Sequence, residues 1–296
     1  MFDKLDCREV TRESKLSPRD FIANFKKPAK PVILSDATRD WPAKEKWDID
    51  YLSDVAGDKV VPVYSSRRAE GKSHQHAAAA NMKMSEYLKL LKQGENDLRM
   101  FFYNILHGAP VLTKDFSYPK IGLWFFKRLP VLFVGGKGAR VQMHYDIDLS
   151  DLLLCHFGGK KHVLLIPPEQ TPYMYKVPYS FSTLYDVDFE NPDFTKHPAL
   201  KHLNAYSAVL NHGDALYIPS GYWHYIIYED IGFSLTLRSF PSKLLQQLTI
   251  LKNIFYTRNI EGLMRKLVGQ PWNDRNEKLA IEITHKNLKG LEKDKA

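Results

Sequence analysis

Gly213-Asp214-Ala215-Leu216-Tyr217-Ile218-Pro219-Ser220-Gly221-Tyr222-Trp223-His224 reads as a turn, a short strand, and a Pro/Gly turn that delivers a histidine beside a tryptophan. Residues 121–240 repeat this pattern of short apolar runs broken by Gly, Pro and Asp. The runs are 132–134, 152–157, 162–166, 206–210, 215–218, 225–228 and 233–238. Many short strands with frequent turn residues make a sandwich or a barrel. One interruption, from Pro167 to about Leu203, is rich in Tyr, Pro and Asp and too long for a hairpin turn. Loops of that length in compact domains are often functional, and Tyr173, Tyr175, Tyr179 and Tyr185 either line a substrate entrance or pack the loop itself.

The flanks have a different period. Ser17-Pro18-Arg19-Asp20 is a helix start, with Ser17 as the cap and Pro18 in the first turn. Strands are expected at 31–34, 60–64 and 100–105, and an amphipathic helix from Met84 through Leu91. After Pro241, Leu244, Leu248, Leu251 and Phe255 recur at helical spacing, and Ala280, Ile283, Asn287 and Leu291 suggest a last helix. The expected fold is mainly β with flanking helices. An N-terminal α/β segment over 1–120 packs on a β core over 121–241, followed by a helical region over 242–296.

Upstream of the quoted run stands Val141-Gln142-Met143-His144-Tyr145-Asp146. On a strand, His-x-Asp places both side chains on one face, because strand side chains alternate. His224 from a neighbouring strand then completes a facial set of three. Two histidines and one carboxylate bind Fe(II) and leave adjacent coordination positions open, as an oxygenase requires. A second pair, His74 and His76, lies in a polar, alanine-rich stretch with no such context.

Composition narrows the classes. The 296 residues are 44% hydrophobic, 26% charged and 12% aromatic, values of a folded globular chain rather than a disordered one. No apolar run reaches the roughly 18 residues that span a bilayer, and the N-terminus has no apolar stretch of a secretory signal. Two cysteines, Cys7 and Cys155, exclude a disulfide framework and suit a reducing cytoplasm. The net charge is +8, and from Lys243 onward eleven Lys/Arg face six Asp/Glu. That surplus favours contact with something anionic, nucleic acid included.

The chain resembles the Jumonji-C group of the cupin superfamily, the Fe(II)- and 2-oxoglutarate-dependent oxygenases, over roughly residues 17–241. Its nearest likenesses are the factor-inhibiting-HIF type of asparaginyl hydroxylase and the wybutosine-tRNA hydroxylase. The resemblance rests on His144-Tyr145-Asp146, on Gly159-Lys160-Lys161 with Ile166-Pro167-Pro168, on Asp188-Phe189-Glu190-Asn191-Pro192-Asp193, and on the run Gly213 to His224. It implies a double-stranded β-helix, or jelly roll, with His144, Asp146 and His224 as metal ligands and catalytic residues. It implies that Lys161 pairs with the distal carboxylate of 2-oxoglutarate, and that Tyr103 either shares that carboxylate through its hydroxyl or simply packs in the core. Arg238 is a rival anchor, or else a salt bridge at the sheet end. Two departures stand out: Val141 where relatives often carry a hydroxyl residue, and Asp151 where some carry Asn.

The implied reaction couples dioxygen and the decarboxylation of 2-oxoglutarate to hydroxylation of a substrate C–H bond. Hydroxylation is favoured over demethylation, since the chain has no Cys/His cluster for a zinc reader module. A protein side chain is the first substrate class, a tRNA base the second and a small metabolite the third. The resemblance implies that the C-terminal helices pair two copies into a homodimer, the alternative being a helical cap on the same chain, and no membrane association is expected. The contrasting class is a cupin-fold sensor that holds a metal without turnover.

Overall fold

A computed structural model of the chain describes residues 1–66, 78–94, 96–241 and 243–294; His74 and His76 lie outside them. The strands are β1 (Asp6–Glu9), β2 (Arg12–Glu13), β3 (Val32–Leu34), β4 (Val60–Ser65), β5 (Ala80–Lys83), β6 (Leu98–Asn104), β7 (Val131–Gly135), β8 (Arg140–His144), β9 (Asp151–Gly158), β10 (Lys161–Ile166), β11 (Asn204–Leu210), β12 (Ala215–Ile218), β13 (Trp223–Tyr228) and β14 (Gly232–Ser239). They form a five-stranded sheet in the order β1-β11-β10-β13-β8 and a nine-stranded sheet in the order β2-β3-β12-β9-β14-β7-β6-β4-β5. The fold is thus mainly β with helices, as the alternating runs imply. Strands β2 to β6 of the N-terminal segment hydrogen-bond into the large sheet rather than lying only on its surface.

Strand alternation sorts the apolar residues into three layers. Leu152 and Leu154 of β9 meet Val163 and Leu165 of β10 and Ile226 of β13 in a core between the sheets. The opposite face of β9, with Leu153, Cys155 and Phe157, packs under Phe21, Trp41, Trp47, Leu52 and Leu88 of the N-terminal region. Those residues belong to or flank the helices α1 (Pro18–Phe21), α2 (Pro42–Lys46), α3 (Ile49–Ala56) and α4 (Met84–Lys92). Ser17 caps α1 by accepting from the Asp20 amide at 3.1 Å. The outer face of the small sheet, with Leu164, Ile166 and Trp223, is covered by Tyr175, Leu184, Phe189 and Leu200 from the segment 167–203.

Beyond β14 come α5 (Leu244–Leu251), α6 (Arg258–Val268) and α7 (Gln270–Asp294), with wider helical turns at Lys252–Thr257 joining the first two. Helix α7 packs on the segment 167–203, with Ala280 and Leu288 joining the apolar layer that covers the small sheet.

Candidate metal centre

The strand β8 ends at His144, and its register against β13 fixes what it presents. His144 lies opposite His224, yet Val141 lies opposite Ile226, so three steps on β8 match two on β13. The bulge turns both Val141 and His144 toward the inter-sheet space. Asp146 lies beyond the strand, at the head of a turn closed by Leu149 N donating to the Asp146 carbonyl at 3.0 Å. His-x-Asp on one strand therefore describes only half of the arrangement. The pair converges because Tyr145 N, donating to the Phe181 carbonyl at 3.0 Å, holds the backbone extended past the end of β8.

One ligand atom from each of His144, Asp146 and His224 lies within 4.8 Å of the others. Nε2 of His144 is 3.8 Å from Oδ1 of Asp146, and the two imidazole centroids are 4.2 Å apart. Each ring is oriented by its other nitrogen. His144 Nδ1 donates to the Gln142 carbonyl at 2.8 Å, and His224 Nδ1 donates to the Tyr222 carbonyl at 3.2 Å. A carbonyl only accepts, so both Nε2 lone pairs face the cluster. Asp146 is divided: Oδ1 faces the histidines while Oδ2 accepts from Arg238 at 2.8 Å. Burial pushes the Asp146 carboxyl up, but Arg238 and the two histidines outweigh it and hold it at about 2. Burial lowers His224 below its usual range, against the opposing pull of Asp146. Two nitrogen donors and one carboxylate oxygen on one side of a shared point fit a first-row divalent ion with open positions.

The cluster opens into a cavity of about 360 Å³ between the sheets, within the usual size of a small-molecule site. Its walls include Phe133, Leu152, Leu154, Ile218 and Ile226, which keep it apolar. Lys161 enters it from β10, fully buried. It shares a face with Val163 and Leu165, so it points inward where Lys160 cannot. Its Nζ donates to the Ser234 hydroxyl and sits 4.0 Å from the centroid of the Tyr228 ring. Among the described residues no carboxylate accompanies it, and burial drives its amine well below the usual lysine range. A buried cation without a counter-ion is costly, and an anionic ligand in the cavity removes that cost. Arg99 of β6 also lines the cavity; it donates to the Arg140 carbonyl at 2.6 Å, while its Nε is buried without a partner.

The structure does not bring Tyr103 to this cavity. On β6, Met100 pairs with Val134 but Tyr103 with Leu132, so one extra residue is inserted between them. The bulge, with Phe102 at φ 60°, reverses the alternation. Tyr103 faces the core under the N-terminal helices, where its hydroxyl is buried without a partner. Arg238 lines the cavity and forms a salt bridge there: its Nη1 donates to Asp146 and to both oxygens of Asp148, at 2.8–3.1 Å. The four loop tyrosines do not line the cavity either. Tyr175 is buried beside His197, Tyr179 packs on Trp272, and Tyr185 donates to the Ser66 carbonyl at 2.9 Å. The loop instead contributes Ser180, Phe181 and Ser182, with Ser182 bridging to His144.

A family model described as a cupin-like domain matches residues 18–262. Lysine-specific demethylase JMJ30 of Arabidopsis thaliana is 28% identical over 230 residues, which cover 75% of this chain and 52% of that protein. The tRNA wybutosine-synthesizing protein 5 of Gallus gallus is 29% identical over 250 residues, covering 77% of this chain and 74% of that protein. Lysine-specific demethylase 8 of Xenopus tropicalis is 27% identical over 233 residues, covering 73% and 49%. The chain spans about half the length of these two demethylases.

Proposed function

The chain belongs to the cupin-like domain family, and we propose that it is an Fe(II)- and 2-oxoglutarate-dependent oxygenase that hydroxylates a C–H bond. The observation that carries this reading is one cavity holding both a His/Asp/His donor set and a buried lysine that has no counter-ion among the described residues. When bound there, iron and 2-oxoglutarate supply the oxidising chemistry, with dioxygen as oxidant and succinate and carbon dioxide as by-products. The chain's own residues do the rest. His144, His224 and Asp146 Oδ1 hold the ion; Arg238 holds the second carboxylate oxygen and so keeps Asp146 a one-oxygen ligand. Lys161 meets the distal carboxylate of the cosubstrate. The apolar walls exclude water from the reacting centre.

A protein side chain is the first substrate class, followed by a tRNA base and a small metabolite. Similar proteins are named for lysine demethylation and for tRNA wybutosine synthesis. Hydroxylation of a C–H bond is the step that both hydroxylase and demethylase chemistry need, so the shared step is the one proposed. A cytoplasmic location suits the free thiols of Cys7 and Cys155, and no described helix is long and apolar enough to cross a membrane. A homodimer is part of the same proposal. Leu244, Leu245, Leu248, Leu263 and Leu267 of α5 and α6 are each at least half exposed, an apolar face that a second copy would cover.

The test is succinate release on adding Fe(II), 2-oxoglutarate and dioxygen. Wild type is expected to turn over slowly without its substrate, and His144→Ala or Asp146→Ala to release none. Binding of metal and cosubstrate with no succinate from wild type would favour the sensor.

A further inference from the structure

Behind Lys161 runs a line of three hydrogen bonds that the proposed ligands do not touch. Lys161 Nζ bonds to Ser234 Oγ. Ser234 Oγ lies 3.1 Å from His156 Nδ1, and His156 Nε2 lies 2.5 Å from the Gly159 carbonyl. Ser234 and His156 are register partners on β14 and β9, and both are fully buried. Neither lines the cavity.

The direction of every bond in this line is fixed. The Gly159 carbonyl only accepts, so the proton of His156 is on Nε2. Nδ1 is then a lone pair, and the Ser234 hydroxyl must donate to it. The lone pairs of Ser234 are thereby left for the Lys161 N–H. A protonated His156 would reverse the middle bond. Burial and the neighbouring Lys161 prevent that by lowering the imidazole to about 3. Gly232 allows the ring its place: a Cβ there would stand 2.6 Å from His156 Cε1.

The chemistry of the line matters because it is neutral. A carboxylate in place of Ser234 would hold the lysine equally well but would cancel its charge and compete with an incoming anion. A hydroxyl backed by a neutral imidazole fixes the direction of the amine and leaves its charge for the ligand. We propose that Ser234 and His156 are positioning residues that aim the Lys161 ammonium at the distal carboxylate of the cosubstrate. This rests on the function proposed above and names two residues that act through the lysine.

The experiment is a calorimetric titration of Mn(II)-loaded full-length protein with 2-oxoglutarate. Ser234→Ala is expected to raise the Kd about tenfold, the effect of losing a hydrogen bond to a charged group. Mn(II) affinity and Tm should stay near those of wild type. Ser234→Thr, which keeps the hydroxyl, should restore binding. His156→Phe should weaken it, while His156→Asn, which keeps an acceptor facing Ser234, should recover most of the loss. In uncoupled turnover the KM for 2-oxoglutarate should rise in Ser234→Ala with kcat changed less than about twofold. A purely structural role would lower Tm and kcat as well. If Lys161→Ala weakens binding while Ser234→Ala and His156→Phe bind as wild type, the positioning role is overturned. If Lys161→Ala binds as tightly as wild type, the role of the lysine fails first and the inference with it.

Discussion

His156 donates from Nε2 to the Gly159 carbonyl and accepts the Ser234 hydroxyl at Nδ1. Its folded value of about 3 lies below the ordinary 6.5. Between those values the unfolded chain binds a proton that the folded chain does not, so stability rises with pH across the window. The contribution is full above pH 6.5 and is lost as pH falls toward 3, on the order of a few kcal/mol for a fully buried group. Thermal unfolding followed from pH 7 to pH 4 should show a steeper fall of Tm for wild type than for His156→Asn; equal slopes would contradict the assignment. At this scale His144, Asp146 and His224 were legible because metal ligation restricts residue type. Lys161 was legible from the family resemblance, whose motif picks it over Lys160; alternation adds only that one of the two points inward. Ser234, Tyr228 and Arg99 were not: a Ser in a strand, a Tyr in an apolar run and an Arg before an aromatic run are all ordinary surroundings. The one usable signal was the alternation Ser234, Thr236, Arg238 between Phe233, Leu235 and Leu237, which marks a polar face inside the fold.

The strand β6 shows how an element overrides a residue-level expectation. From parity alone Arg99, Phe101 and Tyr103 share a face, and Arg99 and Phe101 do line the cavity. One inserted residue sends Tyr103 to the opposite layer. Tyr103→Phe should therefore leave the affinity for 2-oxoglutarate within about twofold of wild type; a tenfold loss would return the tyrosine to the ligand site. A bulge is set by register against β7, a long-range property that no local pattern in the sequence encodes. The segment 167–203 teaches the same point. Its function-like composition was visible, but its tyrosines are spent on packing against Trp272, His197 and Ser66. The small Ser180 and Ser182 come to the cavity, because an irregular segment has no period from which to read its faces. The run after Pro241, by contrast, kept its helical period and formed helices.

Across the whole molecule, two sheets close on a cavity that has an ion-binding set and the cationic side chains of Lys161, Arg99 and Arg238, and a helical region extends beyond the sheets. The β architecture was legible from runs and turn residues. The recruitment of β2 to β6 into the large sheet was not, since pairing between distant strands leaves no local trace. The exposed apolar face of α5 and α6 belongs to this scale. Light scattering should give the mass of a dimer, and Leu248→Glu with Leu267→Glu should give a monomer; a monomeric wild type would contradict the homodimer. The most direct measurement for the account as a whole is an anomalous difference map from crystals grown with Mn(II) and 2-oxoglutarate. The expected result is a single peak bonded to His144 Nε2, His224 Nε2 and Asp146 Oδ1, with the distal carboxylate of the diacid at Lys161 Nζ. A map with no peak among those three atoms, or with the diacid away from Lys161, would contradict it.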